Sequence, residues 1–416
     1  MLKQIEGSRA VAEAIGLCRP EVICAYPITP QTHIVEGLSE LVREGVIENC
    51  EYINVESEFA ALSVAIGASA AGARSYTATS SQGLLFMAEA VYNAAGLGLP
   101  IVMTLGNRAI GAPINIWNDH SDSMAMRDSG WIQLHAENNQ EALDLHILAF
   151  RLAEEVSCPV MVNVDGFILT HAYERVDLPR QEQVDAFLPP YEPVQVLDLA
   201  DPVSIGAMVG PDAFAEVRYL AHYKQLMALE RIPVLSADFR EKFGRESGGL
   251  FHSYRCDDAE VIVVALGSVN GTIKDVIDEM RSGGYKIGSI SITSFRPFPL
   301  VALREVLSRA KQLVVVEKNL AVGLGGILSS NIRMALRGLV QPVHTVIAGL
   351  GGRPITMKSL AEVFHKAFKN ELEDTHYLDL DWNAINRELD RSRAARRSGP
   401  IAENILRDLG GIEKRA

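Results

Sequence analysis

Short apolar runs of β character alternate with helical stretches from Ser8 to about His171, and the alternation resumes at Asp258. Parallel strands need a crossover of a dozen or more residues, normally a helix, so this rhythm predicts βαβ units and a mostly parallel sheet. In the first stretch, 21–26, 52–55, 74–79, 100–105 and 159–164 read as strands. Residues 32–43 place Ile34, Val35, Leu38, Leu41 and Val42 on one helical face, and 57–73, 84–94 and 140–156 read as further helices. In the second stretch, strands at 261–266, 286–293 and 313–317 flank helices at 272–281 and 300–310.

A composition shift separates the two. Residues 177–202 hold Pro179, Pro189, Pro190, Pro193 and Pro202, an extended linker, and a mostly helical piece follows to the glycine-punctuated segment 244–249. The expected organisation is an α/β domain over 1–176, a Pro-rich linker and helical connector over 177–257, a smaller α/β domain over 258–369, and a charged arm without an apolar strand over 370–416.

At 416 residues, 48% hydrophobic and 22% charged, the chain can bury a sizeable core. Its charge balance, 39 − 52 = −13, argues against general binding of nucleic acid or anionic lipid. No apolar run approaches the ~18 residues that a membrane helix needs. Lys3, Glu6, Arg9 and Glu13 interrupt any signal-peptide core, so no membrane partner and a cytoplasmic location are expected. The five cysteines (Cys18, Cys24, Cys50, Cys158 and Cys256) have no ligand-like spacing, which argues against an iron–sulfur cluster, a structural zinc site or a disulfide framework built on them.

Two glycine clusters, 323–326 and 349–352, fall short of G-x-G-x-x-G because Leu328 and Pro354 occupy the last positions; tight strand–helix turns account for both. P-loop, zincin and esterase motifs are absent. Three other segments carry chemistry-bearing residues at predicted strand ends, where open α/β sheets place ligands. Tyr26-Pro27-Ile28-Thr29-Pro30 holds a threonine between two prolines, suited to a carboxylate or to a rigid turn. In Val55-Glu56-Ser57-Glu58-Phe59-Ala60-Ala61, Glu58 enters a helix of small and apolar residues, either as a proton-exchanging group or as a first-turn acid. Arg108 follows the strand 100–105 and can fork onto a carboxylate, while Asp119 and His120 beyond it read as a hydrogen-bonded loop scaffold. All three segments lie on the same side of one predicted sheet.

The stretches "AYPITPQT", "VESEFAALSVAIGASAAGARSYTATSSQGL", "NRAIGAPINIWNDHSDSMAMRDSGWIQ", "AENNQEALDL", "DGFILTH" and "SITSFRPFP" resemble the alpha subunit of pyruvate:ferredoxin oxidoreductase and its 2-oxoacid relatives, from about Gly7 to Gly352. The resemblance implies a thiamine-enzyme pyrimidine-binding domain followed by a transketolase C-terminal type of domain. It implies oxidative decarboxylation of a 2-oxoacid to an acyl-CoA, with thiamine diphosphate as cofactor. Electrons would pass through iron–sulfur clusters on other subunits, and the partners would be beta, gamma and delta-type subunits.

Residue by residue, Glu58 matches the glutamate that hydrogen-bonds N1′ of the aminopyrimidine and drives its imino tautomer. Thr29 and Arg108 match the residues that hold the 2-oxoacid. Pro27, Thr29 and the loop Thr79–Gly83, with Ser81, Gln82 and Gly83, match the lining of the cofactor's pyrimidine end. Thiamine enzymes bind Mg²⁺ and diphosphate through a Gly-Asp-Gly and a downstream Asn. Here Asp165-Gly166 is preceded by Val164, so the resemblance implies that this chain binds no metal and that a partner subunit supplies the diphosphate half. Pyruvate enzymes of the family commonly carry a serine where this chain has Gly111. A larger pocket, and with it a bulkier acid such as phenylglyoxylate, is the alternative to pyruvate. The rival classes are a nicotinamide dehydrogenase built on the glycine clusters and a non-catalytic scaffold subunit.

Overall fold

The computed structural model describes residues 1–393 and 399–409. Its first strands are β1 (Leu2–Glu6), β2 (Val22–Ala25), β3 (Glu51–Asn54), β4 (Ser75–Thr79), β5 (Val102–Asn107), β6 (Ile132–His135), β7 (Val160–Asp165) and β8 (Tyr173–Asp177). Then come β9 (Phe251–Tyr254), β10 (Val261–Ala265), β11 (Ile287–Ile292), β12 (Ser294–Arg296), β13 (Gln312–Glu317), β14 (Val343–Ile347) and β15 (Thr375–Tyr377). They form two mostly parallel sheets and a β1–β8 antiparallel ribbon.

The first sheet runs β12-β6-β7-β5-β4-β2-β3, and only β12 is antiparallel to its neighbour. Its central strands are buried along their whole length, as helices on both faces require. Side chains alternate between two cores. Val102, Val160, Val162 and Val164 pack against helices Gly7–Leu17, Thr32–Arg43 and Asn139–Val156. Met103, Leu105 and Met161 face Leu62, Ala65, Val91 and Ala94 of helices Glu58–Ala70 and Ala88–Leu97. The chain steps from β2 outward to β3, then crosses back to β4 on the other side of β2. That reversal opens a crevice at the carboxyl ends of β2 and β4, the position where doubly wound sheets bind ligands.

The second sheet runs β15-β14-β13-β10-β11-β9, with only β9 antiparallel. It extends beyond the boundary expected at 369, because β15 pairs in parallel with β14. β11 and β12 belong to one extended segment that leaves the second sheet and joins the edge of the first. The connector contains a 33-residue helix, Pro211–Phe243, whose C-terminal half buries Ile232, Leu235 and Phe239 in the first core. No helix among the described residues is long and apolar enough to cross a membrane.

Candidate active site

Glu58 is the first residue of helix Glu58–Ala70, whose cap is the Ser57 side chain accepting from the Ala60 N–H. The helix follows β3, so its first turn faces the crevice. Glu58 is only 8% exposed, yet among the described residues its carboxylate makes no hydrogen bond or ion pair. The residue is buried but its carboxylate oxygens still reach solvent, so an acceptor without a partner in the chain is left open to a group from outside it. The helix Ser81–Phe86 brings Gly83 against it. A Cβ on Gly83 would lie 2.8 Å from Glu58 Oε1 and 2.5 Å from Thr79 Oγ1, so only glycine allows this approach. The Thr79 and Ser80 hydroxyls, also buried here, have no hydrogen-bond partner.

The segment 26–31 leaves the end of β2 with Pro27 and Thr29 exposed and the Thr29 hydroxyl unbonded. Gln31 anchors it from beneath: fully buried, it donates through Nε2 to the Tyr26 carbonyl at 2.9 Å. Arg108, beyond the end of β5, is 6% exposed; its Nη1 donates to the Thr29 carbonyl at 2.9 Å and its Nε to the Asn115 carbonyl at 3.0 Å. The Nη2 nitrogen makes no hydrogen bond among the described residues, leaving one limb of the fork free. Burial lowers the pKa of this guanidinium, opposed by the charge of Asp122. Gly111 faces Gln82, whose Nε2 would lie 2.6 Å from an added Cβ.

Asp122 ties these loops together. Its Oδ2 accepts from the Arg108 N–H (2.9 Å) and the Ser81 N–H (3.1 Å), and its Oδ1 from Asn107 Nδ2 (3.0 Å) and the Ser123 N–H (2.8 Å). The same anchor holds Ser81 at φ 48°, a left-handed conformation uncommon for serine. Burial raises the Asp122 pKa to about 6, while the four donors pull it down. A single carboxylate therefore fixes both the loop that carries Gln82 and Gly83 and the loop that carries Arg108 and Gly111.

Asp119 and His120 form a scaffold at the seam with the second domain. Asp119 accepts from Ser121 and from the Gly351 N–H at 3.0 Å. His120 Nε2 pairs with Asp165 Oδ1 at 2.6 Å, and Lys318 Nζ lies 2.8 Å from Asp165 Oδ2. Burial opposes ionisation of Asp165, but Lys318 and His120 prevail and hold its carboxyl well below the usual range. The Asp-Gly pair at 165–166 is thus committed to an ion pair between domains. At the other glycine cluster, Glu317 accepts from the N–H groups of Ile327, Leu328 and Ser329. The chain's own carboxylate fills the helix N-terminus that a dinucleotide fingerprint would offer to phosphate.

The crevice thus gathers Pro27, Thr29, Glu58, Ser81, Gln82, Gly83, Arg108 and Gly111. Sequence reasoning missed Asp122 and Gln31 as anchors. Asp122 stood in a polar run without a distinguishing mark, and its partners at 81 and 108 are distant in sequence.

Residues 13–234 match the family model described as pyruvate flavodoxin/ferredoxin oxidoreductase, thiamine diphosphate-binding; residues 259–360 match pyruvate:ferredoxin oxidoreductase core domain II. The chain is 49% identical over 370 residues to pyruvate synthase subunit PorA of Methanosarcina barkeri, covering 88% of this chain and 92% of the relative. A 2-oxoglutarate:ferredoxin oxidoreductase from Magnetococcus marinus superposes with a TM-score of 0.70 at 20% identity, covering 89% of this chain and 65% of that one. A split-gene transketolase superposes with a TM-score of 0.53 at 14% identity, over 88% of this chain and 99% of that one. The crevice lies within the first matched region, and strands β10, β11, β13 and β14 of the second sheet within the second. The chain belongs to the pyruvate flavodoxin/ferredoxin oxidoreductase family, as a thiamine diphosphate-binding subunit of an oxidoreductase that acts on 2-oxoacids.

Proposed function

We propose that this chain is the pyrimidine-binding alpha subunit of a 2-oxoacid:acceptor oxidoreductase of the pyruvate type. The complex converts the 2-oxoacid and CoA to acyl-CoA and CO₂ and passes two electrons to iron–sulfur clusters on other subunits. The observation that carries this reading is the unpartnered carboxylate of Glu58, on a largely buried side chain held against Gly83.

The residues fit the aminopyrimidine. Glu58 supplies the acceptor for the proton at N1′, and the missing side chain of Gly83, with the unbonded Thr79 hydroxyl on its other side, keeps the space against the carboxylate clear. When bound, thiamine diphosphate supplies the carbon nucleophile for the 2-oxo carbon and takes up the electrons released with CO₂. Arg108 and the Thr29 hydroxyl bind the substrate carboxylate. The free Nη2 makes the charge-assisted bond, while the carbonyls of Thr29 and Asn115 fix the guanidinium plane. Gly111 and Gln82 border the substrate side chain.

The diphosphate and Mg²⁺ half belongs to a beta-type partner, since Asp165 is already paired with Lys318 and His120. An apolar rim of Tyr26, Phe59, Phe86, Ile114, Ile116 and Trp117 stands exposed around the crevice, suited to burial under that partner. The native complex, assayed with a panel of 2-oxoacids, is expected to oxidise pyruvate in a CoA-dependent reaction, and the isolated chain to turn over none. Turnover by the chain alone, or indifference of the complex to CoA, contradicts the proposal.

A further inference from the structure

On the opposite flank of the substrate-binding turn, three potential metal ligands converge from separate elements. Glu6 ends β1 and precedes helix Gly7–Leu17; His33 lies in the first turn of helix Thr32–Arg43, directly after the 26–31 segment; His171 closes the turn after β7. One ligand atom from each lies within 4.8 Å of the others, and no other such trio of His, Cys, Asp and Glu occurs among the described residues. His33 Nδ1 and Glu6 Oε1 share a proton at 2.7 Å, and the two imidazole centroids are 4.7 Å apart.

The orientation of His171 is fixed as that of a metal ligand commonly is. Its Nδ1 lies 2.8 Å from Thr170 Oγ1, which also accepts from the Phe167 N–H, leaving Nε2 for a second partner. Hydroxyl rotation lets Thr170 accept from Nδ1–H when Nε2 is engaged. The trio would hold an ion at bonds of ~2.0–2.2 Å, which requires the half-exposed His33 ring to turn inward from its present packing on His171.

We propose that Glu6, His33 and His171 form a His₂Glu site for a borderline divalent transition metal, with Zn²⁺ as the natural occupant and a water in the fourth position. Imidazole nitrogen with a single carboxylate suits Zn²⁺, Co²⁺ or Ni²⁺ and not Mg²⁺ or Ca²⁺, which need many oxygens. The metal takes the place of the proton shared by His33 and Glu6. It staples the β1 end and the start of helix Thr32–Arg43 to the 167–171 turn, whose Phe167 packs on Trp117 at 4.8 Å.

The test uses the full chain freed of metal by chelation and titrated with Zn²⁺ by calorimetry, with Co²⁺ as a spectroscopic probe. The expected result is one equivalent bound, tetrahedral ligand-field bands with Co²⁺, and a Zn²⁺-dependent rise in Tm. His33→Gln and His171→Gln should each weaken binding by ~100-fold or more, and Thr170→Val by ~10-fold, the scale of a lost orienting group. Thermal unfolding of the metal-free variants verifies folding; His33→Gln, on a half-exposed helix surface, is the control least able to disturb it. Absence of Zn²⁺ binding by the wild-type chain, or unchanged affinity and stoichiometry in the His33→Gln/His171→Gln double variant, overturns the assignment and leaves a hydrogen-bonded His–Glu pair.

Discussion

Gly83→Ala is the smallest change that separates a catalytic Glu58 from a helix-capping one. Gly83 sits inside helix Ser81–Phe86, where alanine normally stabilises by about 0.5–1 kcal/mol. The new methyl, however, would lie 2.8 Å from Glu58 Oε1 and 2.5 Å from Thr79 Oγ1, contacts that real Cβ atoms do not make. Glu58 Cγ lies 2.8 Å away as well, so the methyl is accommodated only by moving the Glu58 side chain, carboxylate included. Overpacking of this kind costs about 1–3 kcal/mol, leaving net stability between neutral and about 2.5 kcal/mol lower. The displaced carboxylate loses a hydrogen bond to a charged or tautomerising partner, which contributes about 1.5–3 kcal/mol. At about 1.4 kcal/mol per decade, kcat/KM of the assembled complex should fall between ~10- and ~150-fold. The assay pairs thermal unfolding of the chain with steady-state 2-oxoacid oxidation by the complex. A variant with raised Tm and full activity would refute the reasoning, because it would mean that the Glu58 carboxylate can leave its place without consequence.

Three further outcomes follow from the same geometry. Arg108→Ala should cost ~2–4 kcal/mol in kcat/KM for the 2-oxoacid, and Arg108→Lys should recover little, since an ammonium cannot bridge the Thr29 and Asn115 carbonyls while engaging substrate; unchanged kcat/KM removes the carboxylate assignment. Below about pH 6 the Asp122 carboxyl takes up a proton and loses acceptor capacity for its four donors, so kcat/KM of the complex should fall on that acid limb, and Asp122→Asn should be slow and lack the limb. The stability sign is opposite: because burial raises this pKa in the folded state, proton binding favours folding, a contribution full below ~4 and lost as pH rises through about 6. Gly111→Ser would push its side chain onto the Gln82 amide, so KM should rise more for bulky 2-oxoacids than for pyruvate; equal effects remove Gly111 as a specificity determinant.

The alternation of strands and helices was legible because buried parallel strands such as 102–107 and 160–165 open on short apolar, β-branched stretches between helical segments. β6 escaped notice because its four residues, Ile132–His135, alternate apolar side chains with the polar Gln133 and His135 and are nonetheless all buried, an environment that only the neighbouring strands β7 and β12 impose. β15 is three residues of mixed polarity, given strand geometry by the β14 edge alone. Within the site, Glu58, Thr29 and Arg108 each had an ordinary structural reading, and it was their convergence at strand ends on one side of one sheet, with the family resemblance, that set them apart. Asp122 and the Asp165–Lys318 pair act through partners distant in sequence, 41 residues for Ser81 and 153 for Lys318, and local pattern carries no trace of such a pairing; Gln31 bonds locally to the Tyr26 carbonyl, but its burial is set by the fold.

The central claim rests on the chemistry of one carboxylate, and Glu58→Gln tests it most directly. The substitution keeps the shape of the side chain and its place beside Gly83, so the complex should assemble with unchanged Tm. Glutamine cannot hold a proton at the aminopyrimidine N1′ as a carboxylate does, and turnover of the assembled complex with its 2-oxoacid and CoA should fall by ~100-fold or more, the scale of a lost acid–base partner. Assembly with near-normal turnover would contradict the account and leave Glu58 as a helix first-turn acid in a subunit whose catalytic groups lie elsewhere.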